Sequence, residues 1–319
     1  MGLGALVIEV VLPTYNGAAY LAEQVASIHR QTLRPQRLLV RDDGSTDGTL
    51  ELIRRLEQRY GDWLRVLSAD GNLGCIGNVN RLLAATTAPY VALADQDDVW
   101  LSHKLERSLE LLQGLEATCG AELPLLVHSD LELIDEAGVS LHTTYFQRQH
   151  LDADRVAPAD LAISNVVTGC TVLCNRALLS QALPIPKRAL MHDWWLALVA
   201  SAFGRVESLA DVSVRYRQHS SNVLGAQGLG LEYWCSRLFN FLHDPAAGCH
   251  TRDAIQQARC FEHQYHKAIS PLPALMCLPR RRRWLALLSL TARERVTKHG
   301  PLRTFGLWVL LLLLPVQAE

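Results

Sequence analysis

The chain has 319 residues, of which 49% are hydrophobic and 20% are charged. A chain of this length can bury a full core without disulfides or a structural metal, and it fits one large domain with a smaller appendage. The formal net charge of -1 excludes the overall basic field that is typical of a nucleic-acid-binding protein.

Strands and helices alternate through the first hundred residues. Helical spacing of apolar residues follows Ala18, Asp47 (a plausible cap) and Asn78, and each of these segments separates two short apolar runs. The runs predict strands at 7–12, 38–40, 64–67 and 90–94. This order predicts an α/β fold, a Rossmann-like, mostly parallel sheet flanked by helices.

The pattern is less regular beyond residue 100. Strands are predicted at 125–128, 166–173 and 212–216, with a helix from His192 to about Ala202. From about residue 230 onward the pattern is helical and basic. We therefore predict a nucleotide-binding and catalytic domain at 1–228 and a helical C-terminal extension at 229–319.

Acidic residues follow two of the predicted strands directly. Asp42 and Asp43 come after the second strand, and Asp95, Asp97 and Asp98 come after the fourth. Open parallel sheets bind ligands at the carboxyl ends of their strands. The two acidic groups are therefore expected to meet at one edge of the sheet.

Five short segments, taken in their order along the chain, resemble the family 2 inverting glycosyltransferases. The resemblance covers roughly residues 6–225. The combination of Asp-Gln-Asp-Asp-Val-Trp with His-Asp-Trp-Trp looks most like bacterial rhamnosyltransferases. The resemblance implies the GT-A fold. It also implies an enzyme that transfers a sugar from a nucleotide-sugar donor of the dTDP or UDP type. The segments are Leu12–Asn16, Arg41–Asp47, Ala94–Trp100, His192–Trp195 and Tyr216–Asn222.

The resemblance also implies roles in binding the nucleotide. Asp43 lies at the position where the family accepts a hydrogen bond from the N–H of the pyrimidine ring. Pro13 and Tyr15 would line the base pocket, with Tyr15 offering a face for stacking. The same residues also fit a simpler interpretation, in which Asp43 belongs to an ordinary turn and Pro13 only ends a strand.

A divalent cation would neutralise the charge that builds up on the leaving diphosphate, and hard oxygen ligands suit Mg²⁺ or Mn²⁺. Asp97 is the first candidate ligand, and Asp95 would act nearby, through water or on the ribose. The resemblance suggests His219 as a third protein ligand, and Arg217 could contact the diphosphate. Without these neighbours, the acidic segment would fit a solvated turn that caps a helix.

Asp193 is the candidate general base. Inverting transfer is a single displacement, in which a carboxylate opposite the leaving group takes the proton of the acceptor hydroxyl. Asp193 could also be a helix N-cap, a position that Asp favours, and the two roles are compatible. Trp194 and Trp195 could pack against a sugar ring or against the core.

The C-terminal region predicts contact with a membrane surface. Arg280 to Arg283 precede Trp284 and Leu285, and the apolar run at 305–314 is shorter than the roughly 20 residues of a spanning helix. The eight cysteines form no CxxC pair, which indicates a reducing compartment. The expected location is therefore the cytoplasm, on the inner face of the plasma membrane. The expected acceptor is a glycan or a lipid-linked molecule.

Other functions fit parts of the pattern. A sugar nucleotidyltransferase also combines a nucleotide fold with acidic metal ligands, but its usual Gly-rich basic loop is missing from 13–17. A non-catalytic membrane scaffold with the same fold would not need Asp97, Asp193 or His219. Cys260 and two nearby histidines are spaced poorly for zinc and suit an amphipathic helix better.

Overall fold

The structure, a computed structural model, describes residues 8–68, 71–219, 249–291 and 297–313. Residues 220–222 of the fifth motif and the expected domain boundary at 228 lie outside these ranges. The chain forms two compact units. The first contains 1–145, 167–187 and 191–225, and the second contains 146–166, 188–190 and 226–319. The division at 228 stays a prediction.

The first unit begins with four parallel strands that lie in the order β3-β2-β1-β4. Most of their residues are buried, because helices cover both faces of a parallel sheet. All four predicted strands are present. The elements of this part are β1 (Ile8–Thr14), α1 (Leu21–His29), β2 (Arg37–Asp42), α2 (Thr49–Tyr60), β3 (Leu64–Val66), α3 (Gly74–Ala84) and β4 (Tyr90–Leu93).

The rest of the sheet is mixed, and its order continues β4-β8-β6-β9-β5 with β7 beside β6. β8 runs antiparallel to β4 and to β6, whereas β6 and β9 are parallel. The α/β sheet is thus confirmed, and its parallel character is concentrated in the first four strands. The elements are β5 (Val99–Trp100), α4 (Lys104–Cys119), β6 (Leu125–Ile134), β7 (Ser140–Thr144), α5 (Tyr145–Gln149), α6 (Pro158–Leu161), β8 (Leu173–Asn175), α7 (Arg176–Ala182), α8 (His192–Phe203) and β9 (Arg205–Arg217).

The predicted strand at 166–173 is wrong. A 3-10 turn at Gly169–Thr171 interrupts it, and β8 begins only at Leu173. The apolar run is buried without being a strand. Periodicity alone cannot distinguish these two kinds of buried segment.

The second unit is helical where it is described. Its core contains Ile255, Leu275, Met276, Leu287 and Leu311. Among the described residues, none of the helices combines the length and the apolar character needed to cross a membrane. Besides α6, the helices are α9 (Cys249–Tyr265), α10 (Leu272–Cys277), α11 (Arg280–Thr291) and α12 (Pro301–Leu313).

Gly204 connects α8 to β9 at a point without room for a side chain. A Cβ atom there would lie 1.9 Å from the carbonyl oxygen of Pro124. The same carbonyl accepts a hydrogen bond of 3.0 Å from the N–H of Arg205, so the two chain segments cannot separate freely. We expect Gly204→Ala to lower the free energy of unfolding by about 1–3 kcal/mol, the usual cost of overpacking.

Urea denaturation would measure this effect, with Gly114→Ala as the matched control. Gly114 lies inside α4 with no atom within 4 Å of an added Cβ. Alanine should stabilise the helix there by about 0.5–1 kcal/mol. Equal effects of the two substitutions would contradict the steric argument.

Candidate functional site

Asp42 organises the turn that follows β2. Its carboxylate accepts hydrogen bonds from the backbone N–H groups of Gly44 (3.0 Å) and Ser45 (2.8 Å), and from the hydroxyl of Thr14 (3.1 Å). Thr14 is the last residue of β1. Asp42 therefore joins the ends of two adjacent strands. This structural role of its carboxylate was not evident from the sequence.

Asp43, the residue directly after β2, is 4% exposed and lies at the same edge of the sheet. Its Oδ1 accepts a hydrogen bond of 2.9 Å from the guanidinium of Arg41 and one of 2.8 Å from the backbone N–H of Leu73. Arg41 is 1% exposed and also donates to the side-chain oxygen of Asn78 at 3.1 Å. These contacts fix the Asp43 carboxylate where β2 faces the start of α3.

Pro13 and Tyr15 lie on either side of the end of β1. Pro13 is half-buried and pairs in register with Arg41. Tyr15 is 52% exposed, and its backbone N–H and C=O both bond to the side-chain amide of Gln96, each at 2.9 Å. Gln96 therefore connects the Tyr15 loop to the acidic segment, a role that the sequence did not indicate.

The acidic segment follows β4, and its carboxylates affect one another. Burial, together with the charges of Asp97 and Asp193, raises the pKa of Asp95 to about 7. Burial also raises the pKa of Asp98 well above its usual range. Mutual repulsion of this kind is expected where carboxylates crowd together.

Asp97 contacts His219 directly. The Oδ2 atom of Asp97 lies 2.8 Å from Nε2 of His219, whose ring stacks on Tyr20 with the ring centroids 5.2 Å apart. Two neighbouring ligands of an octahedral Mg²⁺ lie about 3 Å apart when each bond is about 2.1 Å long. The spacing and chemistry of this pair therefore fit a divalent cation.

Asp98, the residue after Asp97, is buried. Its Oδ1 accepts the backbone N–H of Arg217 at 3.2 Å, which ties the acidic segment to the end of β9. Ligand atoms of Asp95, Asp98 and Cys170 lie within 4.8 Å of one another, and they form a possible metal-binding group among the described residues. The hydrogen bond to Arg217 agrees with a role for Asp98 in orienting the loop.

Arg217 does not have the geometry of a diphosphate ligand. It is 2% exposed, and its guanidinium donates to the backbone carbonyls of Asp97 (2.9 Å) and Glu136 (2.9 Å) and to the carboxylate of Glu23 (2.6 Å). These contacts indicate a positioning role, and they correct the expectation that Arg217 reaches the donor. Contacts between residues this far apart in the chain leave no signal in the sequence.

Asp193 lies in the first turn of α8. The N-cap is Met191, so Asp193 is not the cap itself. Its two oxygens accept the backbone N–H groups of Gly169 (2.8 Å) and Trp194 (2.6 Å). Burial raises the pKa of Asp193, although His192 and these N–H groups oppose the shift. Trp195 is fully buried core.

Cys75, which no motif predicted, shows how these carboxylates converge. Its Sγ lies 3.7 Å from Nδ1 of His192, the residue before Asp193. Burial and the charges of Asp95, Asp193 and Asp43 raise the pKa of this thiol to about 12. The residue nevertheless keeps contact with solvent. Cys75 therefore lies close enough to these three carboxylates for each of their charges to act on its thiol.

The fold and the site together define the class of protein. Four parallel strands that continue into a mixed sheet flanked by helices form the sheet of the GT-A fold. Residues 9–121 match the model of Glycosyl transferase family 2. The chain therefore carries a family 2 glycosyltransferase domain, which confirms the resemblance seen in the motifs.

Similar proteins agree with this assignment. The chain is 28% identical to TuaG of Bacillus subtilis, a glycosyltransferase provisionally assigned to teichuronic acid biosynthesis, over 67% of this chain and 82% of TuaG. It is 24% identical to the dTDP-rhamnosyl transferase RfbG of Shigella flexneri, over 67% of this chain and 74% of RfbG.

A solved structure confirms the fold. It is the mannosyltransferase PcManGT from Pyrobaculum calidifontis in complex with GDP-Man and Mn²⁺. The TM-score is 0.53 at 20% identity, and the match covers 96% of this chain and 84% of that one.

The buried pair of Arg41 and Asp43 gives a test of how the sheet edge after β2 is stabilised. We expect Arg41→Met to lower the free energy of unfolding by about 3–5 kcal/mol, because it leaves the Asp43 carboxylate buried without its cation. Chemical denaturation would measure the loss.

Arg65→Met is the control on the neighbouring strand β3. The Arg65 side chain is exposed, so its loss should cost less than about 1 kcal/mol. A similar cost for both variants would show that the buried pair is not the structural element described above.

Proposed function

We propose that this protein is a metal-dependent, inverting glycosyltransferase. It would move a sugar from a nucleotide diphosphate donor to a glycan or lipid-linked acceptor in the synthesis of a cell-surface polysaccharide. One observation carries the proposal: Asp43, Asp95 and Asp193 come from distant parts of the chain, yet the charges of all three act on the thiol of Cys75. That arrangement matches the three requirements of the reaction, which are nucleotide recognition, charge neutralisation and a base.

The part of the site around Asp43 would hold the nucleobase of the donor. Asp43 is fixed by Arg41 and Leu73, so its carboxylate is preorganised to accept an N–H from a pyrimidine. A buried acceptor of this kind discriminates strongly, because a base without the donor would leave it unpaired. Pro13 and the exposed ring of Tyr15 would border the base.

Asp97 and His219 would hold the cation, with Asp95 beside them. Bound Mg²⁺ or Mn²⁺ would act as a Lewis acid that neutralises the leaving diphosphate. Tyr20 stacks on His219, and Arg217 holds the backbone of Asp97, so both ligands are positioned before anything binds. Preorganisation of this kind lowers the cost of reorganisation during the reaction.

Asp193 would accept the proton of the acceptor hydroxyl. The N–H groups of Gly169 and Trp194 hold its carboxylate in place. Burial raises the pKa of Asp193, which makes it a stronger base than an exposed aspartate. Attack by the deprotonated hydroxyl opposite the diphosphate would invert the anomeric centre.

The donor sugar is proposed to be rhamnose, carried on dTDP. The 24% identity to RfbG supports this choice, and the assignment of TuaG to teichuronic acid biosynthesis supports a polysaccharide product. The site would then work at the cytoplasmic face of the plasma membrane, where lipid-linked acceptors are built. Thermal stabilisation by dTDP, UDP and GDP in the presence of Mn²⁺ would identify the nucleotide.

Asp97→Asn tests the cation site. We expect the rate of sugar transfer from dTDP-rhamnose with Mn²⁺ to fall about a thousandfold, because the leaving diphosphate loses several kcal/mol of stabilisation. Asp62→Asn, at an exposed position of the turn before β3, should leave the rate unchanged. An Asp97→Asn enzyme with full activity and unchanged Mn²⁺ dependence would exclude the proposed role. Release of pyrophosphate instead of dTDP would favour a nucleotidyltransferase.

Asp193→Asn tests the general base separately. The substitution should lower kcat by about 10²–10⁴-fold, while the thermal stabilisation by dTDP and Mn²⁺ stays the same. Because the base must be deprotonated, the wild-type rate should fall as the pH falls through the pKa of Asp193, which lies above the usual value for aspartate. If the variant kept the wild-type rate and pH profile, another residue would have to be the base.

A further inference from the structure

Helix α11 buries only one of its two apolar sides. Arg283 and Leu287 are buried, and Leu287, Ala286 and Leu290 pack in the core of the second unit. These four positions lie within about 100° of one another on a helix with 3.6 residues per turn. They define the side of α11 that faces its own unit.

The opposite side carries large apolar residues that remain in solvent. Trp284 is 53% exposed, Leu285 is 68% exposed and Leu288 is 50% exposed. They follow one another at spacings of one, three and four residues, so they form one continuous stripe. A helix that is apolar on both sides is normally buried on both sides, which indicates that a partner covers this stripe.

The charges beside the stripe indicate what that partner is. Arg281 and Arg282 are exposed at the start of the helix, and the sequence 280–291 contains no acidic residue. Cations are unfavourable at a helix N-terminus, because they meet the positive end of its dipole. Their presence next to exposed tryptophan and leucine suits a surface that is both anionic and apolar.

Arg283 has a different environment, although it belongs to the same basic run. It is 0% exposed, and its guanidinium donates to the carbonyl oxygens of Leu278 (2.9 Å), Met276 (2.9 Å) and Leu311 (3.0 Å). It therefore joins α10 and α12 to α11 and adds no charge to the outer surface. Phe305 of α12, a helix that packs against α11, is also 63% exposed.

We propose that the outer side of α11, formed by Arg281, Arg282, Trp284, Leu285 and Leu288, docks this protein on the interface of an anionic lipid bilayer. The helix lies in the plane of the interface, with its apolar residues at the boundary of the acyl chains and its two arginines on lipid phosphates. A second copy of the chain would fit this surface less well, because pairing the face with itself brings four arginines together without an acid.

Sedimentation of the full-length chain with vesicles tests the proposal. Vesicles of 70% phosphatidylcholine and 30% phosphatidylglycerol should bind the protein, and vesicles of pure phosphatidylcholine should bind it roughly tenfold or more weakly. Arg281→Gln with Arg282→Gln should reduce binding to the anionic vesicles by a similar factor. Trp284→Ser with Leu285→Ser and Leu288→Ser should reduce it on both kinds of vesicle.

Arg54→Gln with Arg55→Gln is the matched control, since these are two adjacent, exposed arginines on α2. This variant should bind like the wild type, and thermal unfolding should show that every variant is folded. Equal binding of wild type and α11 variants to the anionic vesicles would overturn the proposal. So would a dimer in solution that the Trp284 variant converts to a monomer.

The rate of donor hydrolysis in the absence of vesicles separates this proposal from the proposed function. The α11 variants should hydrolyse the nucleotide sugar at the wild-type rate, because α11 contains none of the proposed catalytic residues. Hydrolysis without vesicle binding would refute only the lipid surface. Vesicle binding without any turnover would refute only the proposed enzyme.

Discussion

The site depends on the enforced proximity of like charges at the carboxyl edge of the sheet. Burial and the charges of Asp97 and Asp193 raise the pKa of Asp95 to about 7, because the charged form is unfavourable there. Hydrogen bonds hold several of these groups in place: Asp43 accepts from Arg41, Asp193 accepts from Gly169 and Trp194, and the backbone carbonyl of Asp97 accepts from Arg217. The cation and diphosphate of the proposed reaction would relieve the repulsion between the carboxylates.

Three buried arginines hold this architecture together. Arg41 fixes Asp43, and Arg217 fixes the backbone of the acidic segment. Arg283 satisfies three carbonyl oxygens in the second unit. The rigid, planar guanidinium group can hold several parts of the chain together, because it donates hydrogen bonds to several acceptors in different directions at once. In each case the arginine has a positioning role in the fold.

The mixed half of the sheet explains how Asp193 reaches the other carboxylates. β8 lies beside β4 in antiparallel orientation, and the turn at Gly169–Thr171 comes directly before it. The backbone N–H of Gly169 then binds Asp193 at the start of α8. A Cβ at Gly169 would lie 3.0 Å from Nε2 of His192, so only a very small residue lets the turn approach the helix this closely. Asp193 is thus positioned through the same segment that was wrongly predicted as a strand.

The sequence by itself determined the first four strands, the helices between them and the residues that follow β2 and β4. These features are local, because they follow from the periodicity of apolar residues and from the edge at which parallel strands end. Asp43, Asp97, Asp193 and His219 were singled out through short motifs that resemble those of the family 2 glycosyltransferases. Only the tertiary structure decided which of these residues meet. The 2.8 Å contact between Asp97 and His219, the hydrogen bonds of Arg217 and the carboxylate charges around Cys75 all join residues far apart in sequence. Such contacts depend on the packing of whole elements, whereas a sequence pattern records only the preferences of neighbouring residues.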